Sequence, residues 1–385
     1  MEEEIWHLLL DVVRRHLISD VPVGISLSAG LDSQFLTHIL GYLKAGDYHT
    51  FTFGFDEAEY DEVASVQTTD YGIPLSQHYL YTRADDLMPS LNKAIRIFEG
   101  PLGGLGTLCA SRLMQLPQSQ GVKVLLSGEG ADEVFGGYKY YQFAYLRDLY
   151  EAGDQETLRR ETAALSETIG HKMSVGDHDF RRLVLGEQSA TMAPDGTSLA
   201  GQSFIGPAFE DLKTNTMPQG DIDLPEGCGS LRRTMLRDMF VSKLPKLLMF
   251  QDRASMGGSV EVRVPFVDHQ LIETVYRLPE YYLIRDGSAK YLLRRMLKRF
   301  AGVDYVAPQK RFVNAPQREW LKGPLFDDIY HWLQNGSIVR SGLIDGDSFG
   351  RAYSMYAGDP ALGNSFFVWK MMNLEALIGE FFVNP

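Results

Sequence analysis

At 385 residues, 44 % of them apolar and 23 % charged, the chain is long enough for two domains and a large core, with the balance of a soluble globular protein. Its net charge of −13 excludes an extended nucleic-acid-binding face, which needs a basic footprint, but leaves room for a local basic pocket that holds a small anion. The only cysteines, Cys109 and Cys228, make no disulfide framework or zinc spacing, the acidic start MEEEIW is no signal peptide, and no run reaches the roughly 18 apolar residues of a membrane span, so a reducing cytoplasm is expected, with no nucleic acid and no membrane as partner.

In chain order, Glu4 to Ile18 places Ile5, Leu8, Leu9, Val12, Val13 and Leu17 at helical spacing, and Ser19-Asp20-Val21-Pro22 ends that helix. Val23 to Leu27 reads as a short buried strand, Gln34 to Leu43 as a helix, and Tyr48 to Phe55 (YHTFTFGF) as a second strand rich in β-branched and aromatic residues. Glu57 to Tyr71 reads as a polar amphipathic helix, Ser76 to Thr82 as a third strand, Leu87 to Phe98 as a helix, and Val122 to Ser127 as a fourth strand. This alternation predicts an α/β fold, a parallel sheet covered by helices on both faces, with ligands at the carboxyl ends of the strands. Beyond Tyr140 the pattern turns helical: Leu231–Leu248, Leu271–Arg277, Ala289–Phe300, Leu325–Leu333 and Phe366–Phe382 are predicted helices, and the stretch from Met173 to Gly229 is predicted to be loop-rich.

The strand from Val23 runs into Ser28-Ala29-Gly30-Leu31-Asp32-Ser33. Small residues let backbone N–H groups approach phosphate oxygens, and the dipole of the following helix favours an anion. An aspartate beside phosphate calls for Mg²⁺ between them, which makes Asp32 a candidate metal ligand. The loop has no lysine and so differs from the Walker pattern. A plain strand-to-helix turn is the structural alternative.

LSAGLDS after a strand resembles the pyrophosphate loop of N-type ATP pyrophosphatases. LLSGEGADEVFGGYKYY (Leu125 to Tyr141), DRASMGGSVEVRVPFVD (Asp252 to Asp268), GSAKYLLRRM (Gly287 to Met296) and EWLKGPL (Glu319 to Leu325) resemble, in the same order, blocks of the asparagine synthetase family. The resemblance covers the synthetase half of that family, without its glutaminase domain: position 2 is Glu2 where those enzymes carry a nucleophilic cysteine. It implies a Rossmann-like sheet of the ATP-pyrophosphatase type, followed by a mostly helical C-terminal region. The expected division is a nucleotide-binding core over 1–145, a loop-rich helical insertion, partly mobile, over 146–230, and a helical part over 231–385 that completes the active site. It also implies ATP and Mg²⁺, cleavage between the α- and β-phosphates, an acyl-adenylate, and amide formation by an amine.

The same resemblance suggests roles residue by residue. Ser28, Gly30, Asp32 and Ser33 match the pyrophosphate loop, Leu27 and Phe53 border adenine and ribose, and the backbone of Ser127 and Gly128 meets the nucleotide. Asp32 and Asp132 match the aspartates that approach Mg²⁺. Glu129 matches a carboxylate tied to adenylate formation or to handling the amine, and Lys290 a lysine over the phosphates. As structural alternatives, Glu129 and Asp132 are helix N-terminal carboxylates and Lys290 a solvated helix lysine. Glu261 and Arg263 are expected to tie the helical region to the sheet as a charged pair, while Asp252 and Arg253 stay open between pocket and scaffold.

Two departures stand out. Ala29 replaces a glycine, which is tolerable only outside the left-handed backbone region. Between Glu99 and Arg112, EGPLGGLGTLCASR lacks the polar residues with which the family grips its amino acid, so aspartate is doubtful and a larger or less polar carboxylate is expected. The amine is then free ammonia, ammonia from a separate glutaminase subunit, or a small amine. Intramolecular amide formation, as in β-lactam synthetases and lasso-peptide cyclases, is the first alternative, and a non-catalytic partner of a glutaminase the second. A homodimer is an open assembly state.

Overall fold

Five strands form one sheet in which every pairing is parallel: β1 (Val23–Ser26), β2 (Tyr48–Phe55), β3 (Leu75–Thr82), β4 (Val124–Leu126) and β5 (Glu261–Arg263), in the order β3-β2-β1-β4-β5. The computed structural model describes residues 1–44, 46–186, 204–212, 223–224, 226–305, 315–360 and 362–383. Parallel neighbours need crossovers, and helices supply them: α1 (Glu2–His16) precedes the sheet, while α2 (Leu31–Leu43), α3 (Val63–Thr68), α4 (Leu87–Phe98) and α5 (Leu105–Leu113) connect or flank its strands.

Successive strand residues point to opposite faces, and both faces are dry. Ile25, Leu27 and Leu126 pack with Ile5, Trp6, Phe35 and Ile39 of α1 and α2. Leu125, Phe51 and Phe55 pack with Leu91 and Ile95 of α4, Leu108 of α5, and Trp320 and Trp369 of the C-terminal helices. This two-sided burial explains why β4 is the unbroken apolar run Val124-Leu125-Leu126. The chain is thus α/β, with a helical C-terminal region, as the alternation predicts.

Several predicted helices begin or end elsewhere, and in three the physical reason is plain. The helix expected over Glu57–Tyr71 is only α3, whose buried residues are Val63 and Val66; so short an apolar face cannot hold more turns. The Leu231–Leu248 helix divides into Ser230–Arg237, a π-helical turn Asp238–Ser242, and Leu244–Gly257. Lys243 leaves helical angles (φ −125°, ψ −65°), and Pro245 starts the new helix. The Ala289 helix starts only at Tyr291, because Lys290 is left-handed at φ 52°. In the 173–229 stretch, His178–Phe180 and Pro207–Leu212 are helical, and 187–203, 213–222 and 225 lie outside the described residues.

Glu261 and Arg263 do pair, at 2.6 Å, but with each other along β5, the edge strand. Arg263 also donates to the carbonyls of His16 and Ile18, each at 2.7 Å, and so satisfies orphan acceptors where α1 ends. Its own carbonyl accepts from the Ser127 N–H at 2.9 Å, which extends the β4–β5 pairing into the next loop. Leu126, fully buried in β4, carries the strand whose end forms that loop. Leu126→Ala should cost about 2–5 kcal/mol, read as a lower urea midpoint at unchanged slope.

Candidate active site

The order β3-β2-β1-β4-β5 reverses direction between β1 and β4, and the loops after those strands therefore flank a switch point where the two connections diverge. The first loop, Leu27 to Gly30, is tied down by its own side chains. The Ser33 hydroxyl accepts from the Ser28 N–H at 3.0 Å and donates back to the Ser28 carbonyl at 3.1 Å. The Ser28 hydroxyl accepts from the Gly30 N–H at 3.2 Å. The Ala29 N–H donates to the Glu62 carboxylate at 2.9 Å, and the Tyr305 hydroxyl donates to the Ala29 carbonyl at 2.7 Å. Ala29 stays outside the left-handed region, so its Cβ costs no strain.

The second loop, Ser127 to Gly130, leads into the helix Ala131–Phe135 through a left-handed Gly130 at φ 88°. The two loops touch. A Cβ on Gly128 would lie 2.8 Å from Asp32 Cβ and 2.9 Å from Ser33 N, so glycine is needed for this approach. The buried Ser127 hydroxyl accepts from Gln251 Nε2 at 2.7 Å, which fixes the loop to the helix Leu244–Gly257.

Lys290 closes the site from the C-terminal region. Its Nζ lies 2.6 Å from each carboxylate oxygen of Asp32 and 2.6 Å from Asp132 Oδ1. The ammonium is 7 % exposed and each of these aspartates 21 %. Burial alone would pull the lysine pKa down, but Asp32 and Asp132 outweigh it and hold the group above its ordinary range. Glu129 lies among the same charges. Burial, then Glu133, Asp132 and Asp32, push its carboxyl up to about 7, against an opposing pull from Lys290. Asp32 and Asp132 converge on one point of positive charge, and their hard oxygens suit Mg²⁺. Among the described residues no cluster of three or more metal-ligating side chains exists, so remaining ligands would come from phosphate and water.

Of the sequence candidates, Ser28, Gly30, Asp32, Ser33, Ser127, Gly128, Glu129, Asp132 and Lys290 come together at these strand ends. Leu27 is buried in the core beneath them, with its N–H on the Phe51 carbonyl at 3.0 Å. Phe53, half-buried, stands on the neighbouring β2, edge-on to Phe55. The glycine stretch after Glu99 is strapped to later helices. The Leu102 N–H donates to Asn373 at 2.7 Å and the Leu105 N–H to Gln317 at 2.9 Å. A Cβ on Gly103 would lie 3.1 Å from the Phe250 ring and one on Gly104 3.5 Å from Phe366, so aromatic rings back this run. Arg253 pairs with Glu99 at 2.7 Å and caps the Phe98 carbonyl, which gives it a scaffold contact. Glu62, Tyr305 and Gln251 touch the loops without any local sequence signal. Glu133 and Tyr138, joined at 2.6 Å, sit inside the quoted glycine-rich block and could have been singled out there.

Two expectations follow from this geometry. A Cβ on Gly137 would lie 1.9 Å from Asp132 Oδ1 and 2.2 Å from Lys290 Cε. Gly137→Ala should therefore push Lys290 off Asp132 and lower the thermal midpoint by several degrees by differential scanning calorimetry, with far-ultraviolet circular dichroism unchanged. Glu129 has its folded pKa raised above the unfolded one, so it favours folding below the unfolded value and loses that contribution as pH rises through about 7. Glu129→Gln should accordingly raise the thermal midpoint more at pH 8 than at pH 5, by differential scanning calorimetry.

Comparisons with known proteins place nearly the whole chain beside one family. The chain is 25 % identical to an asparagine synthetase [glutamine-hydrolyzing] of Bacillus subtilis over 89 % of its own length and 53 % of that protein's. It is 28 % identical to a putative asparagine synthetase [glutamine-hydrolyzing] of Mycobacterium bovis, over 89 % and 52 %. It is 26 % identical to amidase chry2 of Gibberella zeae, over 89 % and 56 %. The chain spans about half the length of these curated relatives. The profile described as asparagine synthase matches residues 4–378, and by that match the chain belongs to the asparagine synthase family.

Proposed function

We infer that the chain is an ATP-dependent amide synthetase that forms AMP and pyrophosphate. A substrate carboxylate oxygen attacks the α-phosphorus, the bond to the bridging oxygen breaks, and pyrophosphate leaves. The nitrogen of ammonia or a small amine then attacks the acyl carbon, and AMP departs as the amide forms. The observation that carries this reading is the convergence of Asp32 and Asp132, from two strand-end loops, on Lys290 beside Glu129. Family membership and the asparagine synthetases among the relatives support it.

The chain's own groups divide the work. The Ser28–Ser33 loop binds the pyrophosphate end through N–H and hydroxyl donors at a helix N-terminus. Asp32 and Asp132 would hold Mg²⁺, which supplies charge neutralisation for the departing pyrophosphate. Lys290 adds a second positive charge where negative charge develops. The backbone of Ser127 and Gly128 meets the nucleotide, which Leu27 and Phe53 border. Glu129, ionised, takes the proton that the attacking nitrogen must shed. Retention of Glu129 favours ammonia or a small amine over intramolecular closure. The acid activated is expected to be larger or less polar than aspartate, because the 99–107 run offers glycine and aromatic rings in place of charged grips. Ammonia would come free in solution or from a separate glutaminase subunit. The cytoplasm is the expected compartment; no described helix is long and apolar enough to cross a membrane.

The test is release of AMP and pyrophosphate, with mass spectrometry of products, from protein given ATP, Mg²⁺, ammonium and L-aspartate, then larger carboxylic acids. AMP with any amide supports the reading. ATP binding with no AMP from any acid sinks it. Asp32→Asn should lower the rate by about 10²–10³-fold. Glu129→Gln should bind ATP normally and form little amide. At a constant concentration of unprotonated amine, the wild-type rate should climb as pH passes through about 7, where Glu129 ionises, and the variant should show no such climb.

A further inference from the structure

Within the protein alone, the two aspartates and the three N–H groups at the start of the first loop are already engaged. The point where Asp32 and Asp132 converge is taken by Lys290 Nζ, at 2.6 Å from both carboxylates. The three successive N–H groups of the first loop are taken as well. Ser28 N–H donates to the Ser33 hydroxyl, Gly30 N–H to the Ser28 hydroxyl, and Ala29 N–H to the Glu62 carboxylate. Two of these partners belong to the loop and its helix. Glu62 does not: it precedes α3, on the connection after β2, and it brings an anion to the amide.

We propose that Lys290 and Glu62 are internal stand-ins for the metal and the phosphate, so that the metal–pyrophosphate group binds by ion exchange, displacing the ammonium from Asp32 and Asp132 and the carboxylate from Ala29. This rests on the reading above that the loop takes phosphate. Buried charges cost several kcal/mol unless paired, so two half-buried carboxylates facing one another need a cation whether or not a metal is bound. Lys290 supplies it. Its backbone is held left-handed at φ 52°, a conformation costly for a side-chain-bearing residue, and its stem passes over the bare Cα of Gly137, where a Cβ would lie 2.2 Å from Lys290 Cε. The strained backbone and the missing Cβ both serve to bring this ammonium to this pair of carboxylates. Exchange has a consequence for order. Free metal must compete with a buried ammonium, and free pyrophosphate with a carboxylate. A metal–pyrophosphate unit would replace both at once, cation for cation at Asp32 and Asp132 and anion for anion at the Ala29 amide, and would leave the Lys290 ammonium free to pair with phosphate.

The experiment uses the full chain and no nucleotide, with Mn²⁺ as the metal probe followed by electron paramagnetic resonance, and metal-free inorganic pyrophosphate followed by calorimetry. Wild type and Lys290→Arg, which keeps the cation, should bind Mn²⁺ weakly. Lys290→Met should bind it at least about tenfold more tightly, because the competing charge is gone while the stem remains. Glu62→Ala should bind metal-free pyrophosphate several-fold more tightly than wild type. Circular dichroism checks that each variant is folded; if Lys290→Met is not, Lys290→Gln carries the same expectation. Unchanged affinity in either arm overturns the exchange. Neither arm measures amide synthesis. A chain that releases no AMP from any acid, yet gains both affinities, would retain the exchange and lose the proposed function; a chain that makes amide without either gain would do the reverse.

Discussion

A buried ammonium must find negative charge, and the position of Lys290 organises the site around that requirement. Asp32 heads α2, Asp132 lies in the helix after β4, and Lys290 precedes a helix in the C-terminal region. Only the full chain brings these groups together. The sheet sets the two loops side by side at the switch point, and β5, from residues 261–263, ties the C-terminal region to the sheet next to β4. The ion pairs then convert an adjacency of elements into a defined geometry. Loss of the lysine would remove the cation that both acids share; the strained backbone of Lys290 and the missing Cβ of Gly137 let that cation reach them.

Carboxylates in the same small volume meet different environments, and their proton affinities separate accordingly. Asp32 and Asp132 have the ammonium within 2.6 Å. Glu129 sits among them with its carboxyl pushed up to about 7 by burial and by its acidic neighbours. Glu133, wholly buried, is pushed up too, first by burial, while the Tyr138 hydroxyl opposes the shift. Groups of one type whose environments separate their proton affinities can divide into charge holders and proton acceptors. A base that ionises near neutrality can both stand uncharged beside an anionic nucleotide and take a proton from nitrogen.

Legibility in the sequence tracked how local the cause was. Both long strands and α4 were readable because their side chains alternate or repeat at helical period over eight or more residues; Tyr48–Phe55 and Leu87–Phe98 have the bounds predicted. Both strand-exit loops were visible as runs of small residues, and the structure sets them side by side. What failed was decided at a distance. Three-residue β5 has polar ends and no alternation to see; it is a strand because β4 offers it an edge. Ser19 to Gly30 says nothing about Glu62, although that carboxylate holds the Ala29 amide. A lysine in Ser288-Ala289-Lys290-Tyr291 carries no mark of burial, since its charge is compensated by residues 158 and 258 positions earlier in the chain.

The glycine run after Glu99 shows how one local signal can have two meanings. Read alone, Gly103 and Gly104 suggest an open pocket lining. In the fold they are the places where the chain passes close to the rings of Phe250 and Phe366, while Asn373 and Gln317 hold the neighbouring amides. Phe250 adjoins Gln251, which grips Ser127 of the loop after β4, and, one turn on, Arg253 grips Glu99. One helix, Leu244–Gly257, therefore touches that loop and the glycine run at Glu99 and Gly103. A change in the bulk of Phe250 would be felt at Gly103 and, through the next residue, at Ser127. The glycine run and the loop after β4 are mechanically joined by that helix, so the run is one wall of a packed unit whose other wall is aromatic.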